Sequence, residues 1–249
     1  MKQFNGCCFA DLDLKQQGVI EDFQLLFYII QPPTPERVKY DIFDRVNRGG
    51  TPLNKQEMRN ALYRGRCTRM LDKLCCSPEF LIATGRSINK ERMKDQYVVL
   101  RAMAFLMLHR GEFKDIPALQ YRGDIDDFLA RFMVYVNDNA PEKLIVDYEN
   151  LFIRCMQISY DLLGENGFRF SGNGIRRPIN MPLFEALSYL FSFVPEKIDY
   201  TWASRLILDI ESVKEEFDDS RYFSGNIDST TSVSFRFDRM DKIINRIQL

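Results

Sequence analysis

Residues 43–57 read Phe-Asp-Arg-Val-Asn-Arg-Gly-Gly-Thr-Pro-Leu-Asn-Lys-Gln-Glu, and this stretch has the greatest capacity for chemistry in the chain. An asparagine followed by glycines admits left-handed backbone, which lets successive peptide N–H groups converge on one anion. Arginine adds a planar fork of donors that matches phosphate oxygens. Asn47, Arg48, Gly49 and Gly50 are therefore the candidate nucleotide- or phosphate-binding residues. Arg45 and Arg59 flank them as candidate contacts to a DNA backbone. Arg59 stands two residues after Glu57, points away from it, and faces either the groove of Arg45 and Arg48 or water. Arg176 and Arg177, in a second Gly- and Asn-rich stretch, are further candidates for DNA-backbone contact. The 43–57 run also reads as a plain helix C-cap, turn and N-cap, so the anion-binding and structural readings both stand.

Other chemistries find less support. The six cysteines (Cys7, Cys8, Cys67, Cys75, Cys76, Cys155) form no Cys-x-x-Cys and suit reduced thiols better than a tetrahedral zinc site. His109 is the single histidine, which removes histidine-based triads and His-Asp metal hydrolases unless it acts alone. It ends an apolar helical run, where a cation favoured by the helix dipole is the simpler role. The pairs Asp126-Asp127, Glu215-Glu216 and Asp218-Asp219 are adjacent on helices, do not share a face, and read as solvated charge. No catalytic residue and no metal ligand is assigned.

The elements that must position these groups are mostly helical. At 249 residues, 45% of them apolar, the chain can bury a real core. Residues 23–30 are aromatic and branched and end before Gln-Pro-Pro, which reads as a buried strand whose edge needs a partner. Thr34-Pro35-Glu36 starts a helix that runs to Asn47, and Asn54-Lys-Gln-Glu57 is a capping box that opens the next, with Met58, Ala61 and Leu62 inward. Apolar spacing near 3.6 predicts further helices at about 67–76, 90–109, 123–138, 142–163, 181–194, 199–217 and 235 onward. Loops at 164–178 and 224–232 separate the last of these. The expected fold is mainly α, a helical bundle-like body with a small incomplete β element at the N-terminus.

The net charge is −1, so no global attraction to nucleic acid exists. Locally, Arg45, Arg48, Lys55, Arg59, Arg64, Arg66, Arg69 and Lys73 face only Glu57 and Asp72, while 209–219 is acidic. Such a division could steer DNA to one end or form ordinary solvated faces. The longest apolar stretch, 97–108, contains Arg101 and is far too short to span a bilayer. The first residues do not read as a signal peptide, so a soluble cytoplasmic protein with no membrane partner is expected.

The 43–61 run resembles the N-terminal domain of GmrSD-type restriction endonucleases, a bacterial family of domains of unknown function. Phe43, Asn47, Gly50, Leu53 and Glu57 match its Phe-x-x-x-Asn-x-x-Gly-x-x-Leu-x-x-x-Glu pattern. The runs at 176–187 and 229–236 look like its helical half. The resemblance implies a partial ParB-like module over 1–66 and a helical domain over 67–249. It also implies nucleotide-dependent defence against foreign DNA. The family's upstream Asp-Gly-Gln-Gln-Arg motif has no counterpart here, since Lys15-Gln-Gln-Gly18 differs in order and setting. The His-containing nuclease domain of fused members is missing too. The expected function is thus a component that recognises DNA or nucleotide phosphate through 43–59 without catalytic competence alone. No cofactor is expected in the isolated chain, and an NTP with Mg only in a complete complex. DNA, and a protein supplying the ParB-like half or the nuclease, are the expected partners. The competing expectation is a protein-interaction scaffold with no phosphate ligand, pairing through 23–30.

Overall fold

The computed structural model describes residues 6–27, 29, 31, 38, 41, 42, 45, 46, 52–170, 176–197, 199–223 and 225–247. The chain divides into two compact units, Met1–Arg45 and Val46–Leu249, an earlier boundary than the expected 66/67. Asn54 and Glu57 therefore belong to the helical body rather than to the N-terminal unit.

In the first unit, helix α1 (Leu14–Glu21) opens on a capping box in which Asp13 accepts from the Gln16 N–H, and it buries no residue. Val38, Asp41, Ile42 and Arg45 are helical, in line with the helix expected over 34–47. The β element expected over 23–30 is not seen. Residues 23–27 are irregular, and among the described residues no strand is present to complete a ladder with them. Phe43, Asn47, Arg48, Gly49 and Gly50 lie outside the described residues.

The second unit is helical throughout its described elements: α2 (Lys55–Leu62), α3 (Arg66–Cys75), α4 (Pro78–Ala83), α5 (Lys94–His109), α6 (Ile125–Asp138), α7 (Glu142–Leu163), α8 (Met181–Phe191), α9 (Tyr200–Asp218) and α10 (Thr230–Ile247). Their starts are chemically marked. Asn54, Ser77, Asp124, Asn180 and Asp199 each accept a hydrogen bond from a first-turn N–H. Two helices are central. Residues 98–107 of α5 and 182–191 of α8 are buried on every face, and α5 packs on α8. An all-round apolar helix is stable only when covered on all sides, here by α3, α6, α7 and α10.

Placement of α2 matters most for the site. Met58 enters the core, Leu62 packs against it, and Ala61 is exposed rather than inward. Gln56 and Arg59 are buried instead. Beyond α2 the chain turns at Gly65, where a Cβ would stand 2.6 Å from Oδ1 of Asn137. That close approach lets Asn137 take the Cys67 N–H at 2.9 Å and donate to the Tyr63 carbonyl at 2.9 Å, fastening the α2–α3 corner to α6.

Candidate functional site

The N-terminal end of α2 faces the turn that leads into α5. Asn54 accepts from the N–H groups of Gln56 and Glu57, while the Glu57 carboxylate accepts from the Asn54 N–H at 2.6 Å. The expected capping box is therefore present, and it uses up the N–H groups that might otherwise greet an anion. Across the gap, Arg92 donates to the Pro52 carbonyl at 2.6 Å and to Glu57 at 3.1 Å, and its own carbonyl accepts from Asn54 Nδ2 at 2.7 Å. The Arg92 hydrogen bond, then the Asn54 N–H, holds the Glu57 carboxyl below its usual range. Arg92 and Met93 both take left-handed backbone, at φ 56° and 58°. For non-glycine residues that conformation costs roughly 1 kcal/mol each, and it persists where neighbours over-determine it.

Between these walls lies a cleft of about 550 Å³, lined by Asn54, Lys55, Gln56, Arg59 and, opposite, by Asn89, Glu91, Arg92, Lys94 and Tyr97. Among the described residues its wall carries four cations and one carboxylate. Lys55 and Arg59 stand at i and i+4, on one face of α2. Both reach the same acceptor, the Asp126 carboxylate on the first turn of α6: Lys55 Nζ binds Oδ2, and Arg59 Nη1 binds Oδ1 at 2.9 Å. Burial would raise the Asp126 pKa, but the hydrogen bonds from Lys55 and Arg59 outweigh it and hold the carboxyl below its usual range.

Arg59 is 1% exposed, a correction to the reading that it faces water, although it lines the cleft. Its Nε donates to Gln56 at 3.0 Å, and its guanidinium lies 5.3 Å from the Tyr97 ring centre. Its Nη2 is buried and has no hydrogen-bond partner. A buried donor left unmade costs about 1–3 kcal/mol, and among the described lining residues Arg59 Nη2 is such a donor. From Gln56 a run of amides continues outward. Gln56 donates to Asn60 at 2.8 Å, Asn60 to Gln96, and Gln96 to Asp72 at 2.7 Å. These bonds fix the tilt of α2 against α3 and α5.

The other candidates fall elsewhere. Arg45 is exposed at the end of the first unit. Arg176 pairs with Glu165 at 2.8 Å. Arg177 pairs with Asp218 and lies 5.4 Å from the Phe170 ring centre. Neither lines the cleft. Four of the eight basic residues of the run are answered by acids distant in sequence: Lys55 and Arg59 by Asp126, Arg66 by Glu142, and Lys73 by Glu149. On the acidic stretch, Asp209, Glu211, Glu216 and Asp218 are held by Arg246, Lys214, Arg239 and Arg177. Part of each charged stretch is thus neutralised by ion pairs.

Two further readings are corrected. Asp126 is a structural counter-ion rather than solvated charge, while its neighbour Asp127 pairs with Arg131 along the same helix. His109 is not a dipole-favoured cation. Its ring stacks on Phe237 at 3.6 Å, and burial, helped by the Arg236 charge, pushes its pKa down to about 3. Sequence reasoning did not single out Asp126, Arg92, Lys94 or Tyr97 for the site. The one available hint was the i, i+4 cation pair of Lys55 and Arg59, which repels itself unless an acid bridges it.

Among the described residues no group of His, Cys, Asp and Glu is arranged to hold a metal ion, and no helix is long and apolar enough to cross a membrane. No protein-family model, curated protein or solved structure matches this chain. The likeness of 43–61 to the GmrSD-type domain thus rests on the motif alone.

Proposed function

We propose that this chain is a phosphate-recognising component of a bacterial GmrSD-like restriction or anti-phage defence protein, acting through the 43–59 segment. The observation that supports it most is the cleft at the end of that segment, lined by Lys55, Arg59, Arg92 and Lys94, where Arg59 keeps a buried donor unmatched. Such a wall attracts an anion of phosphate size, and the sequence Asn47-Arg-Gly-Gly50 is of a type that supplies donors of the same kind. The chain binds and does not break bonds by itself. The Asp-Gly-Gln-Gln-Arg motif does not occur in these 249 residues, and the partner in this reading carries the ParB-like half or the nuclease.

Titration of the purified chain with duplex DNA and with an NTP–Mg mixture, followed by thermal shift at two salt concentrations, tests this reading. A stabilisation following RT ln(1 + [L]/Kd), weakened by salt and by Arg48→Gln with Lys94→Gln, is expected. Absence of any shift with either ligand sinks it. NTP hydrolysis abolished by Asn47→Ala would overturn the non-catalytic part.

The scaffold reading draws on a different observation. Phe23, Leu25, Leu26, Phe27 and Ile29 are exposed, at 67–81%. A run of aromatic and branched residues in irregular backbone is suited to adding a strand to a partner's sheet. Retention of partner binding after Leu26→Lys with Phe27→Lys would dismiss that alternative.

A further inference from the structure

Arg169 carries its charge into the protein without a carboxylate bound to it. The side chain is 4% exposed, and each hydrogen bond it makes goes to a neutral acceptor. Nε donates to the Glu165 carbonyl at 3.2 Å and Nη1 to the Arg177 carbonyl. Nη2 donates to the Thr84 carbonyl at 3.2 Å and to the Ser87 hydroxyl. Burial and then the Arg176 charge lower its pKa, with the Glu165 charge acting against them. A buried cation held by dipoles alone is one that a nearby anion would stabilise.

Ser87 is the place where such an anion can be attached. It is exposed, in the turn between α4 and α5. Its Oγ donates to the Thr84 carbonyl at 2.6 Å while accepting from Arg169, which pins the hydroxyl against the guanidinium. Arg176 reaches the same turn. Gly85 has φ 59°, and a Cβ there would collide with Arg176 Nη2, so glycine admits both the backbone and the approach. Arg86, exposed and without an ion pair among the described residues, directly precedes Ser87. Three arginines thus meet one carboxylate, Glu165, which Arg176 holds at 2.8 Å. The carbonyl end of α4 would repel an anion, but Arg169 already caps the Thr84 carbonyl there.

We propose that Ser87 is a phosphorylation site and that Arg169, Arg176 and Arg86 form the seat of its phosphoryl group. A serine kinase transfers the γ-phosphoryl of ATP to it. The bond from that phosphorus to the bridging oxygen of ADP breaks, the Ser87 Oγ–P bond forms, and the hydroxyl proton passes to the kinase's base. The product carries about −1.5 to −2 charge at neutral pH, close to the surplus of the three arginines over Glu165. The Thr84 carbonyl loses the hydroxyl donor and keeps the Ser87 N–H and Arg169 Nη2. Phosphoryl oxygens then fasten the α4–α5 turn to Arg169 and Arg176 of the 164–178 stretch.

Phosphoserine installed at position 87 during synthesis of the full chain tests the seat. The phosphorylated chain should melt about 2–4 °C above the parent, and amides of the α4–α5 turn should exchange several-fold more slowly. Arg176→Gln, at an exposed position, should remove at least half of that gain. An unchanged or lower melting temperature overturns the proposal, as does a gain that survives Arg176→Gln intact. Equal stabilisation of the unmodified chain by inorganic phosphate would make this a site for a free anion and overturn the covalent step. Mass spectrometry of the chain recovered from its own growing and stationary cells should find phosphate on the peptide holding Ser87. Its absence from both overturns the modification.

Discussion

Two arginine–carboxylate clusters meet at Tyr97, and they are built to opposite ends. On one side lies the cleft cluster of Lys55, Arg59 and Arg92 with Asp126 and Glu57. On the other, inside the helical body, Arg101 of α5 and Arg236 of α10 share Glu185 of α8, and all three are at most 1% exposed. The Tyr97 ring lies near the Arg59 guanidinium, and its hydroxyl accepts from Arg101 Nη1 at 3.1 Å. In the inner cluster the charges balance. Asp228 takes Arg101 Nη2 at 2.6 Å, so two arginines meet two carboxylates, and the Ile227 carbonyl takes Arg236 Nη1 at 2.6 Å. Burial disfavours the Arg101 charge, yet Glu185 and Asp228 hold its pKa above the ordinary value. The cleft cluster lies beside open space, with Lys55 and Arg59 on Asp126 and Arg92 on Glu57. A fully buried ion cluster fastens helices together, whereas one that lines a cleft stays within reach of a ligand.

The largest effect should come from breaking the balanced side. Glu185→Ala strands two buried guanidinium groups, and a loss of about 3–5 kcal/mol in urea unfolding, or failure to fold, is expected. Replacing all three residues with methionine should recover most of that loss, because an apolar trio has no charge to strand. If Glu185→Ala cost no more than a surface substitution, the inner cluster would not be the fastening it is described as here.

A second effect lies in pH. His109 packs beside Arg236 with its Nε2 buried and unpartnered, and its pKa is lowered to about 3 from an ordinary 6.5. A histidine held neutral by the fold contributes its stability fully above pH 6.5. That contribution falls as the pH drops toward 3, because the unfolded chain takes the proton first. The slope approaches about 1.4 kcal/mol per pH unit, so roughly 2–3 kcal/mol should vanish between pH 6.5 and 4.5. Urea unfolding of His109→Phe over that range should show a flatter profile than the parent. Parallel profiles would mean that other groups carry the acid sensitivity.

What could be read without coordinates follows the same division. Local signals served well. The Asn54–Glu57 capping box, the 142–163 helix and the apolar periodicity of α6 depend on residues a few positions apart. The start of α5 at Lys94 rather than 90 was hidden, because nothing in Arg92-Met93 announces left-handed backbone. Pro78–Ala83 was overlooked although Ser77 and Pro78 carry a helix start. The final helix begins at Thr230, inside a stretch whose serines and threonines suggested a loop. The cleft itself was half legible. Lys55 and Arg59 stood out as basic residues, but Asp126, 67 positions beyond Arg59, is supplied by tertiary packing. Pairing over such distances leaves no mark in the spacing of either segment, and it turned a surface arginine into a buried one.

The smallest effect concerns how the open cluster keeps its shape. Arg92 is about half exposed, so losing its bonds to Glu57 and Pro52 should cost under about 1 kcal/mol. Its backbone is the more telling part, since a side chain at φ 56° is strained and glycine there is not. Arg92→Gly and Arg92→Ala both delete the guanidinium, yet only the glycine variant also releases the left-handed cost. Thermal unfolding should therefore rank Arg92→Gly above Arg92→Ala by about 1 kcal/mol, the reverse of the usual order in a helix. That order would mean the cleft wall is held against backbone preference by the Asn54–Glu57–Arg92 contacts. The ordinary order would mean the turn relaxes freely, and the cleft cluster would then lack the fixed geometry that distinguishes a site from a loop.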